Sequence, residues 1–191
     1  MKSGAETRER IISAFLEQYA KRPFELITVK GISEALAINR GTFYLHFLDL
    51  DELLTALEDE HLAAIRKLNK ENRYHYLSRS IDEMKLFYIP TLEYIGENRS
   101  VISVLMGIHS RSRFRESLAS LMRSNVRNKY ESAVASYKWD EYKKYLIDII
   151  VAGNISIISN WISTENNNSA EDIAQLFVDV IKNLPYMNLQ E

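Results

Sequence analysis

The chain has 191 residues, 46% of them apolar and 26% charged, with a net charge of −2. This is ordinary globular material, long enough for one large domain or for a small one beside a medium one, with apolar mass for a core. It contains no cysteine, which excludes a disulfide scaffold, a thiolate zinc site and a cysteine nucleophile. Met1 to Glu9 is polar, with no basic-then-apolar leader, and the expectation is a cytoplasmic protein. The first helix is expected from Thr7 to Ala20, where Ile12, Phe15, Leu16 and Tyr19 form the apolar stripe; Pro23 closes it, and Phe24 and Ile27 follow as packing residues.

Thr28 to Phe47, TVKGISEALAINRGTFYLHF, is the most informative stretch. Val29, Ile32 and Leu36 have helical spacing on one side of a corner, and Phe43 and Phe47 lie one turn apart on the other. Thr28 and Asn39 are placed to N-cap the two short helices. The second helix carries Arg40, Gly41, Thr42, Tyr44 and His46, which are donors and small residues without a carboxylate. A helix that buries one apolar edge and shows donors on the other reads as the second helix of a helix-turn-helix, which enters the DNA major groove.

Asp49, with Glu52 three residues on, opens the next helix. Its stripe of Leu50, Leu53, Leu54 and Leu57 continues in phase through Leu62, Ile65 and Leu68 to about Asn72. Residues 73–79, RYHYLSR, read as a link. A helix from about Ser78 to Tyr94 should be kinked or split at Pro90. A short helix is expected over Ser100–Ile108, and a long amphipathic one over Arg111–Tyr137 whose polar side bears Arg111, Arg113 and Arg115. Trp139 to Ser163 is apolar nearly all round and must be covered on more than one side. Its core, Tyr145 to Ile162, is interrupted by Asp148 and Asn154 and is not read as a membrane span. Ser169 and Asp172 open the last helix, and Pro185 ends it.

Charge is unevenly distributed. From Met1 to Phe47 the cations Lys2, Arg8, Arg10, Lys21, Arg22, Lys30 and Arg40 outnumber the anions Glu6, Glu9, Glu17, Glu25 and Glu34. Asp49 to Glu60 carries only acids: Asp49, Asp51, Glu52, Glu58, Asp59 and Glu60. For nucleic-acid binding this distribution matters more than the weakly acidic total. The four histidines have no metal-ligand spacing and no phosphate-cradling glycine loop occurs, so neither an enzyme nor a cofactor is expected.

Through Arg10-Ile11-Ile12, Ile27-Thr28-Val29, Ile32, Gly41-Thr42-Phe43-Tyr44, His46-Phe47 and Glu52-Leu53-Leu54, the stretch from Thr7 to Leu57 resembles the DNA-binding domain of the TetR (tetracycline repressor-like) family of bacterial transcription regulators. More loosely, Glu97-Asn98-Arg99 and Gly153 before Trp161 resemble the C-terminal domains of dihydroxyacetone-kinase regulator-type members. The resemblance implies an all-α protein of about nine helices. Residues 1–48 would be the helix-turn-helix domain and 49–191 an effector-sensing and dimerisation domain. It also implies a homodimer through the last two helices, a double-stranded DNA operator as partner, a small-molecule effector and no membrane. Two positions depart from the family pattern: Ala37 stands where a corner glycine is usual, and Leu50 where a phosphate-binding lysine is usual.

On this reading Arg40 reaches a guanine edge or a phosphate and Thr42 a base or thymine methyl, while Gly41 lets the backbone approach the bases. Tyr44 and His46 contact phosphates by resemblance, Asn39 starts the reading helix, and Thr28 and Lys30 bond a phosphate at the start of the preceding helix. Phe87, Tyr88, Tyr94, Met106, His109, Phe114, Tyr130 and Trp161 are candidates to line an effector pocket, against the simpler reading of a filled core. Ile155, Ile158, Ile162, Phe177 and Ile181 are the expected dimer contacts. Arg111, Arg113 and Arg115 are a solvated face or an attractor for an anionic effector. Leu50 and the acids around it motivate a second reading, an adaptor or coactivator of the same fold that binds a protein and has weak DNA affinity.

Overall fold

The computed structural model describes residues 4–72, 84–133, 141–165 and 167–183. The expected link at 73–79, the stop at Pro185 and the side chain of Tyr130 lie outside the described residues. The described residues form helices and no strand: α1 (Gly4–Tyr19), a 3-10 turn (Phe24–Leu26), α2 (Val29–Leu36), α3 (Arg40–Tyr44), α4 (Leu50–Glu71), α5 (Met84–Glu97), α6 (Arg99–Leu105), α7 (Arg113–Ala133), α8 (Glu141–Ser163) and α9 (Ala170–Lys182).

Side-chain caps fix the starts of α2, α3, α4 and α9. Thr28 Oγ1 accepts the Gly31 N–H at 3.0 Å, and Asn39 Oδ1 accepts that of Gly41 at 2.9 Å. Asp49 Oδ1 accepts the Glu52 N–H at 2.8 Å, while the Glu52 carboxylate accepts the N–H of Leu48. Ser169 and Asp172 cap each other reciprocally at the head of α9. Between α2 and α3 the chain turns at Ala37, in the left-handed region with φ 52° and ψ 44°. A Cβ there costs about 1–2 kcal/mol relative to the right-handed region, so the corner stands although the usual glycine is missing.

Ile11, Phe15, Tyr19, Phe24, Ile27, Ile32, Phe43 and Phe47 fill the N-terminal head and pack on Leu53, Leu54 and Leu57 of α4. The rings of Phe15, Tyr19 and Phe24 meet at 5.3–6.2 Å between centroids, the separation at which tilted and edge-on aromatic pairs attract. In the larger part, α5 packs chiefly on α9 and α7 on α8. Of the kink or split expected at Pro90, the split does not occur, since α5 runs through it. A proline inside a helix costs about 3 kcal/mol; burial of Leu92 and Ile95 beyond it holds the helix together. Lys144–Ser163 of α8 is long and apolar enough to cross a membrane by length and composition alone, yet half of it is buried against the other helices.

The two parts are clamped by arginines at the start of α7. The Arg111 guanidinium lies 3.8 Å above the Phe24 ring centroid, pairs with Asp51 at 2.5 Å and reaches Glu25 at 3.7 Å. The Arg111 backbone N–H donates to the Tyr19 hydroxyl at 2.7 Å. Burial raises the Tyr19 phenol's pKa, and this hydrogen bond offsets part of that rise. Arg113 binds Glu58 and Asp59 of α4, and the Glu58 side chain is only 3% exposed. Arg115 donates to the Met106 carbonyl. Arg111 and Arg113 thus tie α4 and the 3-10 turn to the head of α7, and all three arginines stay exposed, so the expected solvated face also carries cross-links between helices.

Replacing Ala37 by Gly should raise stability by about 0.5–1 kcal/mol, the relief of left-handed strain less the added chain entropy, read as a higher denaturation midpoint. Arg113→Met should cost about 1–3 kcal/mol by stranding the buried Glu58 carboxylate; combining it with Glu58→Gln should recover most of that loss in a double-mutant cycle. His61 is buried, shares a 2.7 Å hydrogen bond between Nδ1 and the Tyr94 hydroxyl, and has its pKa lowered by burial against the opposing pull of Glu60. The unfolded chain therefore binds a proton that the folded chain refuses. This contribution is complete above about pH 6.5 and falls away as pH drops toward the lowered folded value. His61→Phe should flatten the stability profile in that window.

Candidate functional site

The helix-turn-helix residues come together at one end of the molecule. Phe43 and Phe47 turn inward, their rings 5.9 Å apart, and Arg8 of α1 lies over Phe47 at 5.1 Å. With those anchors buried, the opposite side of α3 faces solvent: Arg40, Gly41 and Tyr44 are exposed, and Thr42 and His46 half-buried. Tyr44 is 56% exposed, its ring edge-on to Phe43, so its base is held while its hydroxyl is presented. Thr28, Lys30 and Asn39 are exposed beside them; Thr28 and Asn39 also serve as caps, and Lys30 lies 3.7 Å from Glu34. A Cβ added at Gly41 would meet only Asn39 Oδ1, at 3.6 Å. No crowding within the protein requires a glycine there, and its smallness acts outward.

The acids that follow are mostly engaged. Asp49 and Glu52 cap α4, and Asp51, Glu58 and Asp59 pair with Arg111 and Arg113. Leu50 is buried at the root of α4, where it packs instead of reaching outward.

A second feature lies in the larger part. A cavity of about 60 Å³ sits among α4, α5, α7, α8 and α9. Of the pocket candidates, Phe87 and Tyr88 line it; Tyr94, Met106, His109, Phe114 and Trp161 do not. Tyr94 is engaged with His61, and Met106 and Phe114 are fully packed core. Trp161 is buried, with its Nε1 donating to the Asn168 carbonyl at 3.0 Å and Arg99 over its ring. His109 borders a separate surface groove with Tyr19 and Gly107. The lining residues missed by periodicity are polar: Asn69, Thr91, Asn125 and Asn154. For Asn154 the signal is an asparagine that interrupts an apolar helical stripe.

The residues expected at a dimer contact face the chain's own core. Ile155, Ile158, Ile162, Phe177 and Ile181 are all buried within the single chain, because α8 turns its most apolar edge toward α6, α7 and α9. The apolar surface left on these helices is Tyr142, Tyr145 and Ile149 of α8 and Leu176 of α9.

Comparison with known proteins places both parts. Residues 11–57 match the family model of bacterial regulatory proteins of the tetR family, and residues 82–183 match a transcriptional regulator C-terminal region of the same family. The HTH-type transcriptional regulator UidR of Escherichia coli K12 is 27% identical over 101 residues, 52% of this chain and 50% of UidR. The chain thus spans about half the length of the curated relatives it matches. A TetR transcriptional regulator from Streptococcus agalactiae superposes with a TM-score of 0.61 at 18% identity, covering 93% of this chain and 94% of that one. The dihydroxyacetone kinase operon activator DhaS does so with 0.55 at 19%, covering 91% and 93%. The helix-turn-helix head, the helical C-terminal part and the two family matches together make this chain a member of the TetR family of bacterial transcription regulators.

Proposed function

We propose that the chain acts in the cytoplasm as a homodimeric DNA-binding regulator, a repressor that releases its operator when a small molecule enters the C-terminal cavity. The carrying observation is α3, whose phenylalanines are buried while Arg40, Gly41, Thr42 and Tyr44 face outward. On a duplex, Arg40 and Thr42 address base edges, Gly41 permits close approach, and Tyr44, His46, Thr28 and Lys30 hold phosphates. Two heads spaced by about 34–36 Å occupy successive major-groove faces. Dimerisation through α8 and α9 would cover Tyr142, Tyr145, Ile149 and Leu176, the apolar residues those helices leave exposed. Repression follows from occupying a promoter, and release follows if an occupied cavity favours a different head spacing.

The neutralised acids of α4 favour this reading. One observation favours the adaptor reading instead: Leu45 is 83% and Leu48 77% exposed beside Tyr44, which suits a protein partner better than a phosphate backbone. Selection from a pool of random duplexes separates the two readings, since an adaptor enriches no sequence.

Thr42→Ala with Tyr44→Ala should abolish the gel shift of the chain's own promoter region while leaving the helical circular dichroism unchanged. The unaltered protein should lose affinity steeply between 50 and 200 mM salt, as phosphate-based binding requires. An undiminished shift by the double variant rejects α3 as the reading helix.

A further inference from the structure

The C-terminal cavity has chemistry more specific than its size. Most of its wall is aliphatic or aromatic, and among the described residues it includes no lysine, arginine, histidine or carboxylate. The arginines at the start of α7 are committed to Asp51, Glu58, Asp59 and the Met106 carbonyl. Besides the Tyr88 hydroxyl, three asparagines and a threonine interrupt the wall, and they are not equivalent. Asn69 Oδ1 already accepts from Thr91 Oγ1 at 3.0 Å. Asn154 is 2% exposed, and its Oδ1 is buried with no hydrogen-bond partner. Among the described buried side chains only the Ser33 hydroxyl, far off in the head, shares that condition.

From this juxtaposition, and resting on the reading of the cavity as an effector site, we infer that it selects an uncharged, largely apolar molecule of ring size with one hydrogen-bond donor, which Asn154 Oδ1 accepts. A buried acceptor without a partner is costly, and a donor brought in by the ligand removes that cost. A carboxylate or phosphate would be stripped of water with no cation to meet it. The wall's low polarity is visible at Tyr88, whose hydroxyl has its pKa raised to about 12 by burial alone. The volume of about 60 Å³ is well below the about 150 Å³ of a cavity known to accept benzene. A ring therefore enters by displacing side chains. Met84 and Met122 line the cavity, and unbranched thioethers repack at small cost. Because Met122 lies on α7, which also carries the arginine clamp on α4, entry is transmitted to the element that holds the head.

Calorimetric titration of the full chain with three probes tests this: indole, its donor-free isostere benzofuran, and indole-3-carboxylate. Indole should bind, benzofuran about tenfold more weakly, and indole-3-carboxylate with no measurable heat. Asn154→Leu should bring indole and benzofuran to equal affinity. Met122→Trp, which fills the chamber from a half-buried position, should abolish binding of both. Equal affinity for indole and benzofuran in the unaltered protein, binding of the carboxylate as tight as that of indole, or no binding of indole overturns the inference. So does an unchanged preference in Asn154→Leu, or binding that survives in Met122→Trp. Duplex retention is measured in parallel. Absent indole binding by a protein that still retains its duplex sinks this inference alone. The full probe pattern without duplex release sinks the ligand-response reading and leaves the cavity's selectivity standing.

Discussion

The contact on which the architecture depends is the seating of Arg111 between Phe24 and Asp51, with its own peptide N–H on the Tyr19 hydroxyl. One residue at the start of α7 thereby touches the end of α1, the 3-10 turn and the root of α4. A guanidinium over a ring is worth about 0.5–1 kcal/mol at a partly exposed site, and the carboxylate and hydroxyl fix its direction. Arg113 adds a second hold two residues on, against a glutamate with almost no contact with water. Without these contacts the head would be joined to the larger part by α4 with its leucine stripe and by the packing of α1 on α6. With them, the orientation of α3 is set from two sides.

This arrangement gives α7 two tasks. Its first turn grips α4, and its middle turns, with Leu118, Leu121 and Met122, form one wall of the cavity. Helix α7 therefore touches both the cavity and α4, the helix on which the head packs. The acidic run at the start of α4, adverse to DNA binding when read as a list of charges, is in large part the counter-surface for this grip. A carboxylate paired with an arginine or bound to a helix N-terminus presents little field to a phosphate backbone.

Helix α8 divides its apolar residues between two duties. Ile147, Ile150, Val151, Ile155, Ile158 and Ile162 fill the chain's own core, while Tyr145 and Ile149 remain outside. A helix apolar nearly all round needs cover on more than one side; among the described residues α6, α7 and α9 supply it over the inward face. Asn154 sits on the inward side, in the cavity wall, which is why an amide survives in that stripe.

Local rules determined the head and the starts of the capped helices. The caps at Thr28, Asn39, Asp49 and Ser169, the alternation of buried and exposed residues around Phe43 and Phe47, and the identity of the exposed residues on α3 all follow from spacings of three and four, which any helix obeys. The family resemblance marked Ala37 as standing where a corner glycine is usual, and the structure puts it in the left-handed region. Residue type and spacing also predicted that the helix after Trp139 had more apolar surface than one side could bury, but not which residues that side would take. Only tertiary structure decided the rest: that α5 passes unbroken through Pro90, that Ile155 and Phe177 point inward, that Arg111 and Arg113 find acids more than fifty positions away, and that an asparagine closes an apolar chamber. Such outcomes depend on which helix faces which. That is fixed by packing of the whole chain at once, and no periodicity within one segment encodes it.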